Sequence, residues 1–186
     1  MNVNRIICST KVEGPGTRTS IWFQGCSRHC KGCFAKDTWG FEEKIKASVE
    51  ELYEIVKNDV ESEGITILGG EPLEQAEELL SLVQKIKKLG KTIILFTGYK
   101  YEYLLENDLF SEILKNVDVL VDGEFDEAQT DNSRPMVGSK NQRFFFITDA
   151  YTLKDFKNNS IEVRITPDGY IHINGQGFVK KISWGD

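Results

Sequence analysis

Three closely spaced cysteines are the residues of this chain best suited to chemistry. Cys26, Cys30 and Cys33 follow one another in the pattern Cys-x3-Cys-x2-Cys. Thiolates are soft ligands, so a group of them binds zinc, copper(I) or an iron–sulfur cluster. A 4Fe-4S cluster usually takes four cysteine ligands, so three from this loop would leave one iron free for an exogenous ligand. An open coordination position of this kind is where a metal centre does chemistry.

Other interpretations of the cysteines are open on spacing alone. Structural zinc would need His29 or His172 as a fourth ligand, and the sequence has no second Cys-x2-Cys pair to complete a zinc ribbon. A disulfide framework is disfavoured, because we find no signal peptide and the apolar residues suffice for a core without covalent links. The remaining cysteine, Cys8, lies in an apolar run and is predicted to be a small buried residue. Spacing favours iron–sulfur over zinc without deciding between them.

Length and composition predict one domain with a well-buried core. The chain has 186 residues, of which 40% are hydrophobic and 28% are charged, and we expect residues 1–186 to fold together. A net charge of -6 disfavours a nucleic-acid-binding surface, because phosphate binding needs clustered basic residues. Lys85, Lys87 and Lys88 do cluster, but they fall on the outer face of a predicted helix. No apolar run is long enough to span a membrane, and we expect a soluble cytoplasmic protein.

The middle of the chain alternates short apolar runs with helical periodicity, which predicts parallel strands joined by helices. Ser48 followed by Glu51 forms a capping box that begins a helix, and the pattern carries this helix to near Gly64. Gly90 stops the next helix, and a third helical stretch covers residues 101–115. Strands are predicted at residues 65–68, 92–96 and 117–121.

Two glycine turns lie where predicted strands meet loops. Residues 19–23 form a strand that delivers the cysteines at its C-terminal end, where ligands gather in parallel α/β sheets. Gly69-Gly70-Glu71-Pro72 follows the strand at 65–68. Its glycines let a ligand approach the backbone, Glu71 offers an acceptor to a cationic group, and Pro72 suits the first turn of a helix. Gly14-Pro15-Gly16-Thr17-Arg18 is equally a tight corner or, through Arg18, an anion contact.

The character of the sequence changes after about Gly138. Short strand-like runs lie at residues 143–148, 161–166 and 170–173, and Pro167-Asp168-Gly169 is a turn between the last two. We therefore expect a core that ends near residue 146, followed by an added β-hairpin layer over about residues 147–186.

The cysteine triad followed on a βα scaffold by Gly69-Gly70-Glu71-Pro72 resembles the radical S-adenosylmethionine superfamily. More narrowly, the chain resembles the activating proteins of anaerobic ribonucleoside-triphosphate reductase. The matching stretches run in the same order from about residue 3 to 146. They are Gly14-Pro15-Gly16-Thr17-Arg18, the stretch from Gly25-Cys26 to Thr38-Trp39, Thr97-Gly98-Tyr99, Val119-Leu120-Val121-Asp122-Gly123 and Gly138-Ser139-Lys140-Asn141-Gln142.

The resemblance implies a role for each motif. The free iron of a 4Fe-4S cluster would be chelated by the amine and carboxylate of S-adenosylmethionine. Glu71 and the backbone of Gly69 and Gly70 would hold the methionyl amine. The cluster would be bound by Cys26, Cys30 and Cys33.

Four further residues receive roles from the same resemblance. Gly32 and Phe34 flank the last cysteine and would contact the adenine side of the cofactor, while Thr97 and Asp122 end later strands and would line the pocket. Many members of the superfamily have an aromatic residue in place of Gly32, but the activating proteins do not. Relatives often have a basic or neutral residue where this chain has Glu124, which leaves the role of Glu124 open.

The resemblance also implies a reaction and a fold. An electron from a flavodoxin-like or ferredoxin-like donor would drive reductive cleavage of S-adenosylmethionine, and the 5'-deoxyadenosyl radical would take a hydrogen atom from a glycine of an anaerobic ribonucleotide reductase. A chain of this length would form a partial, open (βα) barrel of the radical SAM type. Two rival functions are a radical SAM enzyme that modifies another peptide or small molecule, and a non-catalytic metal-binding interaction module.

Overall fold

A central sheet of seven strands organises the computed structural model, which describes residues 1–157, 160–165, 168–169 and 171–175. The strands are β1 (Asn2–Thr10), β2 (Arg18–Phe23), β3 (Ile45–Lys46), β4 (Gly64–Gly69), β5 (Thr92–Phe96), β6 (Val119–Asp122) and β7 (Arg143–Phe146). Their order in the sheet is β3-β1-β2-β4-β5-β6-β7. Neighbours among β2, β4, β5 and β6 are parallel, whereas β1 runs antiparallel to β2 and β7 runs antiparallel to β6. The predicted α/β fold, a partial, open (βα) barrel built on parallel strands, is confirmed.

Four helices connect the parallel strands: α1 (Val49–Asn58), α2 (Ala76–Lys88), α3 (Tyr101–Glu106) and α4 (Asp108–Leu114). The predicted capping box is present at the start of α1, and Gly90 follows α2 with a φ of +74°, as a glycine at a helix C-terminus does. The prediction that α1 extends to near Gly64 is wrong. The helix ends earlier because the carboxylate of Asp59 accepts hydrogen bonds from Ser9 and from the Thr19 hydroxyl of β2.

The predicted helical stretch at residues 101–115 is broken into α3 and α4. Asn107 has an extended backbone, with φ -106° and ψ 119°, and its side chain accepts a hydrogen bond from the amide of Phe110. An asparagine in this conformation caps a new helix instead of continuing the old one. The chain therefore changes direction between β5 and β6.

The helices cover one face of the sheet and leave the other face for a pocket. Buried aliphatic residues of β2, β4 and β5 pack against those of α1 and α2. On the opposite face, Trp22, Leu68 and Phe96 pack together near the C-terminal ends of the same strands. Arg18 is fully buried on that side and donates hydrogen bonds to Thr66 and Tyr151, so it contacts protein groups and leaves the Gly14 to Gly16 segment as a tight corner.

The predicted C-terminal hairpin is present as a separate two-stranded antiparallel sheet of β8 (Ile161–Ile165) and β9 (Ile171–Gly175). The first strand-like run of the predicted tail instead supplies β7, which joins the main sheet beside β6. Pro167 of the predicted turn and residues 176–186 lie outside the described residues. That residues 1–186 form one domain therefore stays a prediction.

Cys8 departs from the sequence prediction because it is only partly buried. It lies in β1, where β3 pairs with Asn2 and Val3 and does not extend along the edge as far as Cys8. Arg164 of the hairpin donates to the carbonyl of Cys8. Within the described part of the chain, no helix has the length and apolar character needed to cross a membrane.

Candidate metal centre

A pocket lies where the central strands end. The cysteine loop follows β2, the Gly69-Gly70 turn closes β4, and Thr97 follows β5, so three neighbouring parallel strands deliver their loops to one place. The structure brings together most of the residues predicted from the sequence. Those that line the pocket are Cys26, Cys30, Cys33, Phe34, Gly69, Gly70, Glu71 and Thr97.

Backbone amides lie close to two of the cysteine sulfur atoms and favour their thiolate forms. The amides of Arg28 and His29 act on Cys26, and the amide of Phe125 acts on Cys30. Burial raises the pKa of the thiols of Cys26 and Cys30, while these amides act in the opposite direction because they stabilise a thiolate. The amide of Phe125 also shows that the loop after β6 touches the cysteine loop.

The donor set suits a cluster better than a single ion. The three cysteines face the same pocket, and each would bind a different iron of a 4Fe-4S cluster. Among the described residues, no three His, Cys, Asp or Glu side chains converge closely enough to hold one metal ion. The ring of His29 stacks on Trp39, with 4.8 Å between ring centroids, instead of joining the cysteines.

The two glycines fasten the end of β4 to the start of the cysteine loop. The amide of Gly70 donates to the carbonyl of Phe23 at 2.9 Å, and the amide of Glu71 donates to the carbonyl of Gly25 at 2.8 Å. A Cβ atom at Gly69, where φ is +107°, would lie 2.5 Å from the amide nitrogen of Phe23. A Cβ atom at Gly70 would overlap the carbonyl of Gly25. Side chains are therefore excluded at both positions by neighbouring backbone.

Glu71 is a buried carboxylate with most of its acceptor capacity in use. Its side chain accepts hydrogen bonds from the amide of Leu73 at 3.1 Å, the hydroxyl of Thr97 at 2.8 Å and the amide of Gly98 at 2.7 Å. Burial raises its pKa to about 7 in spite of these bonds. A carboxylate has about four lone-pair sites, so one acceptor position remains for a donor in the pocket. The predicted contact of Glu71 with an amine fits this geometry and stays a prediction.

Two predicted site residues do not line the pocket. Gly32 has a φ of +78° and lies against Glu127, since a Cβ atom there would be 3.0 Å from a carboxylate oxygen. Asp122 is fully buried, and its carboxylate accepts hydrogen bonds from the Arg143 guanidinium and from the amide of Tyr101 at 2.7 Å. Asp122 faces a neighbouring open groove and holds α3 and β7 to the end of β6.

Sequence reasoning assigned no role to a pair of charged residues that also line the pocket. Arg28, inside the cysteine loop, donates to Glu124 at 2.5 Å and stacks over the ring of Tyr99, with 3.7 Å between its Cζ atom and the ring centroid. The only signal in the sequence was the unusual residue at Glu124. The two residues are 96 positions apart, and nothing local to either one indicates that they meet.

A second buried glutamate closes the far side of the pocket. Glu13 lies in the loop between β1 and β2, is 2% exposed, and accepts a hydrogen bond from the amide of Gly175 in the hairpin. Burial raises its pKa to about 7. The hairpin therefore contributes to the pocket wall through the last residue of β9.

Comparison with known proteins places the chain in a family. A family model described as a 4Fe-4S single cluster domain matches residues 12–145. The anaerobic ribonucleoside-triphosphate reductase-activating protein of Pasteurella multocida is 33% identical over 147 residues, which cover 74% of this chain and 92% of that protein. The proteins of the same description from phage T4 and Escherichia coli K12 are 34% and 33% identical and are each 96% covered, over 80% and 76% of this chain. The chain belongs to this family of activating proteins.

Membership of the family decides between the metals that spacing left open. The matched segment contains Cys26, Cys30 and Cys33, so the metal centre is a 4Fe-4S cluster, and the resemblance seen in the sequence is confirmed. The hairpin lies beyond residue 145, outside the matched segment. A solved structure of QueE from Escherichia coli is similar over 52% of this chain and 51% of its own, with a TM-score of 0.42 and 24% sequence identity.

Proposed function

We propose that this protein is a radical S-adenosylmethionine activase that generates a glycyl radical on an anaerobic ribonucleotide reductase. The observation that carries the proposal is the shared pocket of the cysteine triad and the Gly69-Gly70-Glu71 turn, in a chain of the activating-protein family. When bound, the cluster supplies an electron for cleavage of S-adenosylmethionine to methionine and a 5'-deoxyadenosyl radical, which takes a Cα hydrogen atom from a glycine of the partner.

The residues of the chain bind and orient the reactants. Cys26, Cys30 and Cys33, which line one pocket, would bind three irons of the cluster and would leave the fourth without a protein ligand. The remaining acceptor position of Glu71 receives the methionyl amine, and the hydroxyl of Thr97 keeps the Glu71 carboxylate in place. This role of Thr97 is to position Glu71.

An apolar wall suits the nucleoside end of S-adenosylmethionine. Trp22, Leu68 and Phe96 form this wall beside the cysteines, and the exposed ring of Phe34 meets Trp22 edge-on with 6.4 Å between centroids. Aromatic and aliphatic surface of this kind stacks on a base and excludes water, which limits side reactions of a radical. Phe34 lines the pocket and its ring is exposed, so it is an aromatic residue available to cover the base.

An open sheet supports a protein as the substrate. The strand order ends at β3 on one side and β7 on the other, and a wide groove beside the pocket runs past Tyr99, Tyr103 and Glu124. A loop carrying a glycine can enter such a groove, which a closed barrel would not allow. We assign the supply of electrons to a flavodoxin-like or ferredoxin-like protein, and the site of action to the cytoplasm.

The test is product formation by the anaerobically reconstituted protein. With dithionite and S-adenosylmethionine we expect 5'-deoxyadenosine and methionine in equal amounts, measured by liquid chromatography. Cys30→Ala should lose both the cluster absorbance and the product, since one iron loses its ligand, whereas Cys8→Ala should retain both. A reconstituted wild-type protein that forms no 5'-deoxyadenosine would exclude radical SAM chemistry and favour a binding module.

The partner is tested separately. After incubation with the anaerobic ribonucleotide reductase of the same organism, electron paramagnetic resonance should show a glycyl-radical doublet on the reductase. The matched control is a reductase in which the radical-bearing glycine is replaced by alanine. If 5'-deoxyadenosine forms but no doublet appears, the protein modifies a different substrate.

A further inference from the structure

The pair of Arg28 and Glu124 joins two loops at the rim of the pocket. Arg28 comes from the cysteine loop after β2, and Glu124 comes from the loop after β6, so the pair reaches across the ends of β4 and β5. The Arg28 side chain is 22% exposed and the Glu124 side chain 52%. The guanidinium is fixed between the Glu124 carboxylate and the face of Tyr99.

Arg28 places a positive charge next to the proposed sites of the cluster and S-adenosylmethionine. Arg28 lies between Cys26 and Cys30 in the sequence and lines the pocket with them. A cation beside an iron–sulfur cluster stabilises the reduced form, which carries one more negative charge, and so raises the reduction potential. The same cation repels the sulfonium and ammonium groups of S-adenosylmethionine. An unpaired Arg28 would therefore oppose both a low potential and cofactor binding.

Glu124 is the carboxylate available to cancel this charge. Glu71 also acts on Arg28 through its charge, but it makes no direct ion pair with Arg28: three of its acceptor positions bind Leu73, Thr97 and Gly98, and the fourth is the one assigned to the methionyl amine. Glu124 makes the direct ion pair with Arg28, while its backbone carbonyl accepts from the side chain of Asn141, which holds the loop after β6 in place. The loop is thus built to present one carboxylate to Arg28.

We propose that Glu124 is a positioning and charge-compensating residue, which holds Arg28 against Tyr99 and keeps the reduction potential of the cluster low and the pocket receptive to a cationic cofactor. This inference rests on the proposed function. It gives the unusual Glu124 a role in this chain, as the partner of an arginine that lies inside the cysteine motif.

The test compares variants that change charge with little change in size. Glu124→Gln leaves Arg28 uncompensated, so we expect a more positive midpoint potential in a spectroelectrochemical titration of the reconstituted cluster and a several-fold weaker Kd for S-adenosylmethionine. Arg28→Gln leaves Glu124 uncompensated, and we expect the potential to shift in the opposite direction. If the two substitutions only loosened the loops and had no electrostatic effect, the midpoint potential would shift in the same direction in both variants.

Two further variants complete the experiment. Arg28→Gln combined with Glu124→Gln removes both charges, and its potential and Kd should return toward those of the wild type. Glu127→Gln is the matched control, because Lys31 and Glu127 join the same two loops in a pair whose side chains are 91% and 50% exposed. Its potential should stay at the wild-type value.

The outcomes separate this inference from the proposed function. A wild-type protein that assembles a cluster but neither binds nor cleaves S-adenosylmethionine would overturn the proposed function. A wild-type protein that does both, with potentials in Glu124→Gln and Glu127→Gln equal to that of the wild type, would overturn the role of Glu124 alone. A double variant more impaired than either single variant would also overturn it.

Discussion

Two buried glutamates face the same pocket but serve different parts of the fold. Glu71 uses its carboxylate to hold the loop after β5, at the end of the pocket that contains the cysteines. Glu13 uses its carboxylate to hold the last residue of the hairpin, on the far side. Burial raises the pKa of each to about 7, so both carboxyl groups titrate near neutral pH. Glu13 lies away from the metal ligands, which makes its titration measurable in the protein without a cluster.

Glu13 should make stability fall as the pH rises. Burial raises its pKa from an ordinary value of 4.5 to about 7, so the unfolded chain binds fewer protons than the folded protein between these values. Its contribution to the free energy of unfolding is fully present below the pKa of the unfolded chain, 4.5, and is lost as the pH rises through the pKa of the folded protein, about 7. Glu13→Gln keeps an acceptor for Gly175 but cannot ionise. We expect the free energy of unfolding of Glu13→Gln, relative to that of the wild type, to increase by about 2 kcal/mol as the pH rises from 5 to 8.

Urea unfolding of the reduced, cluster-free protein at both pH values measures this difference. Glu71 titrates in both proteins and cancels in the comparison. A stability difference between Glu13→Gln and the wild type that is the same at pH 5 and pH 8 would show that Glu13 does not titrate in this range.

Residues of the site were predictable from the sequence where their signal is local. The cysteine spacing and the Gly69-Gly70-Glu71 turn each lie within a few positions, and each follows a recognisable strand. Glu13 and the Arg28–Glu124 pair were not predicted, because their roles depend on loops that meet only in the folded sheet. Asp122 was predicted to line the pocket from its place at a strand end, but strand ends also carry residues that fasten neighbouring elements, as Arg143 and Asp122 do here.

At the scale of elements, periodicity predicted the helices better than their ends. The apolar spacing of residues 101–115 continues through Asn107, since a break of one residue scarcely changes which side chains face the core. The preference of asparagine for the N-cap position competes with helix continuation, and the structure follows the cap. The break lets α3 lie beside the groove while α4 packs on α2.

Asn107 should therefore stabilise the protein through its side chain. Asn107→Ala removes the acceptor for the amide of Phe110, and we expect the free energy of unfolding to fall by about 1 kcal/mol. Ser81→Ala in the middle of α2 is the control: its hydroxyl bonds to the carbonyl of Glu77 within the helix, so alanine there should be neutral or slightly stabilising. Thermal unfolding followed by circular dichroism measures both. Equal stability of Asn107→Ala and the wild type would contradict the capping role.

At the scale of the whole molecule, the sheet combines a predictable core with strands whose positions depend on distant partners. The spacing of βα units predicted that β4, β5 and β6 are parallel neighbours, because a crossover helix needs about that length. The place of β7 beside β6 and the docking of the hairpin near β1 were not predicted, since both depend on contacts between residues far apart in sequence. The hairpin also lies beyond the segment shared with the cluster family.

The hairpin is attached to the main sheet by a few polar contacts, so we expect it to open locally more easily than the sheet does. Arg164 of β8 donates hydrogen bonds to the carbonyls of Cys8 at 2.8 Å and Ser9 at 3.0 Å. Arg164→Ala removes both, so we expect amide hydrogen exchange in β8 and β9 to become about tenfold faster, while exchange in β4 and β5 stays unchanged. Lys57→Ala, which breaks an exposed ion pair on α1, should alter neither region. Mass spectrometry of exchanged peptides measures these rates, and faster exchange in β4 and β5 of Arg164→Ala would show that the hairpin and the sheet unfold together.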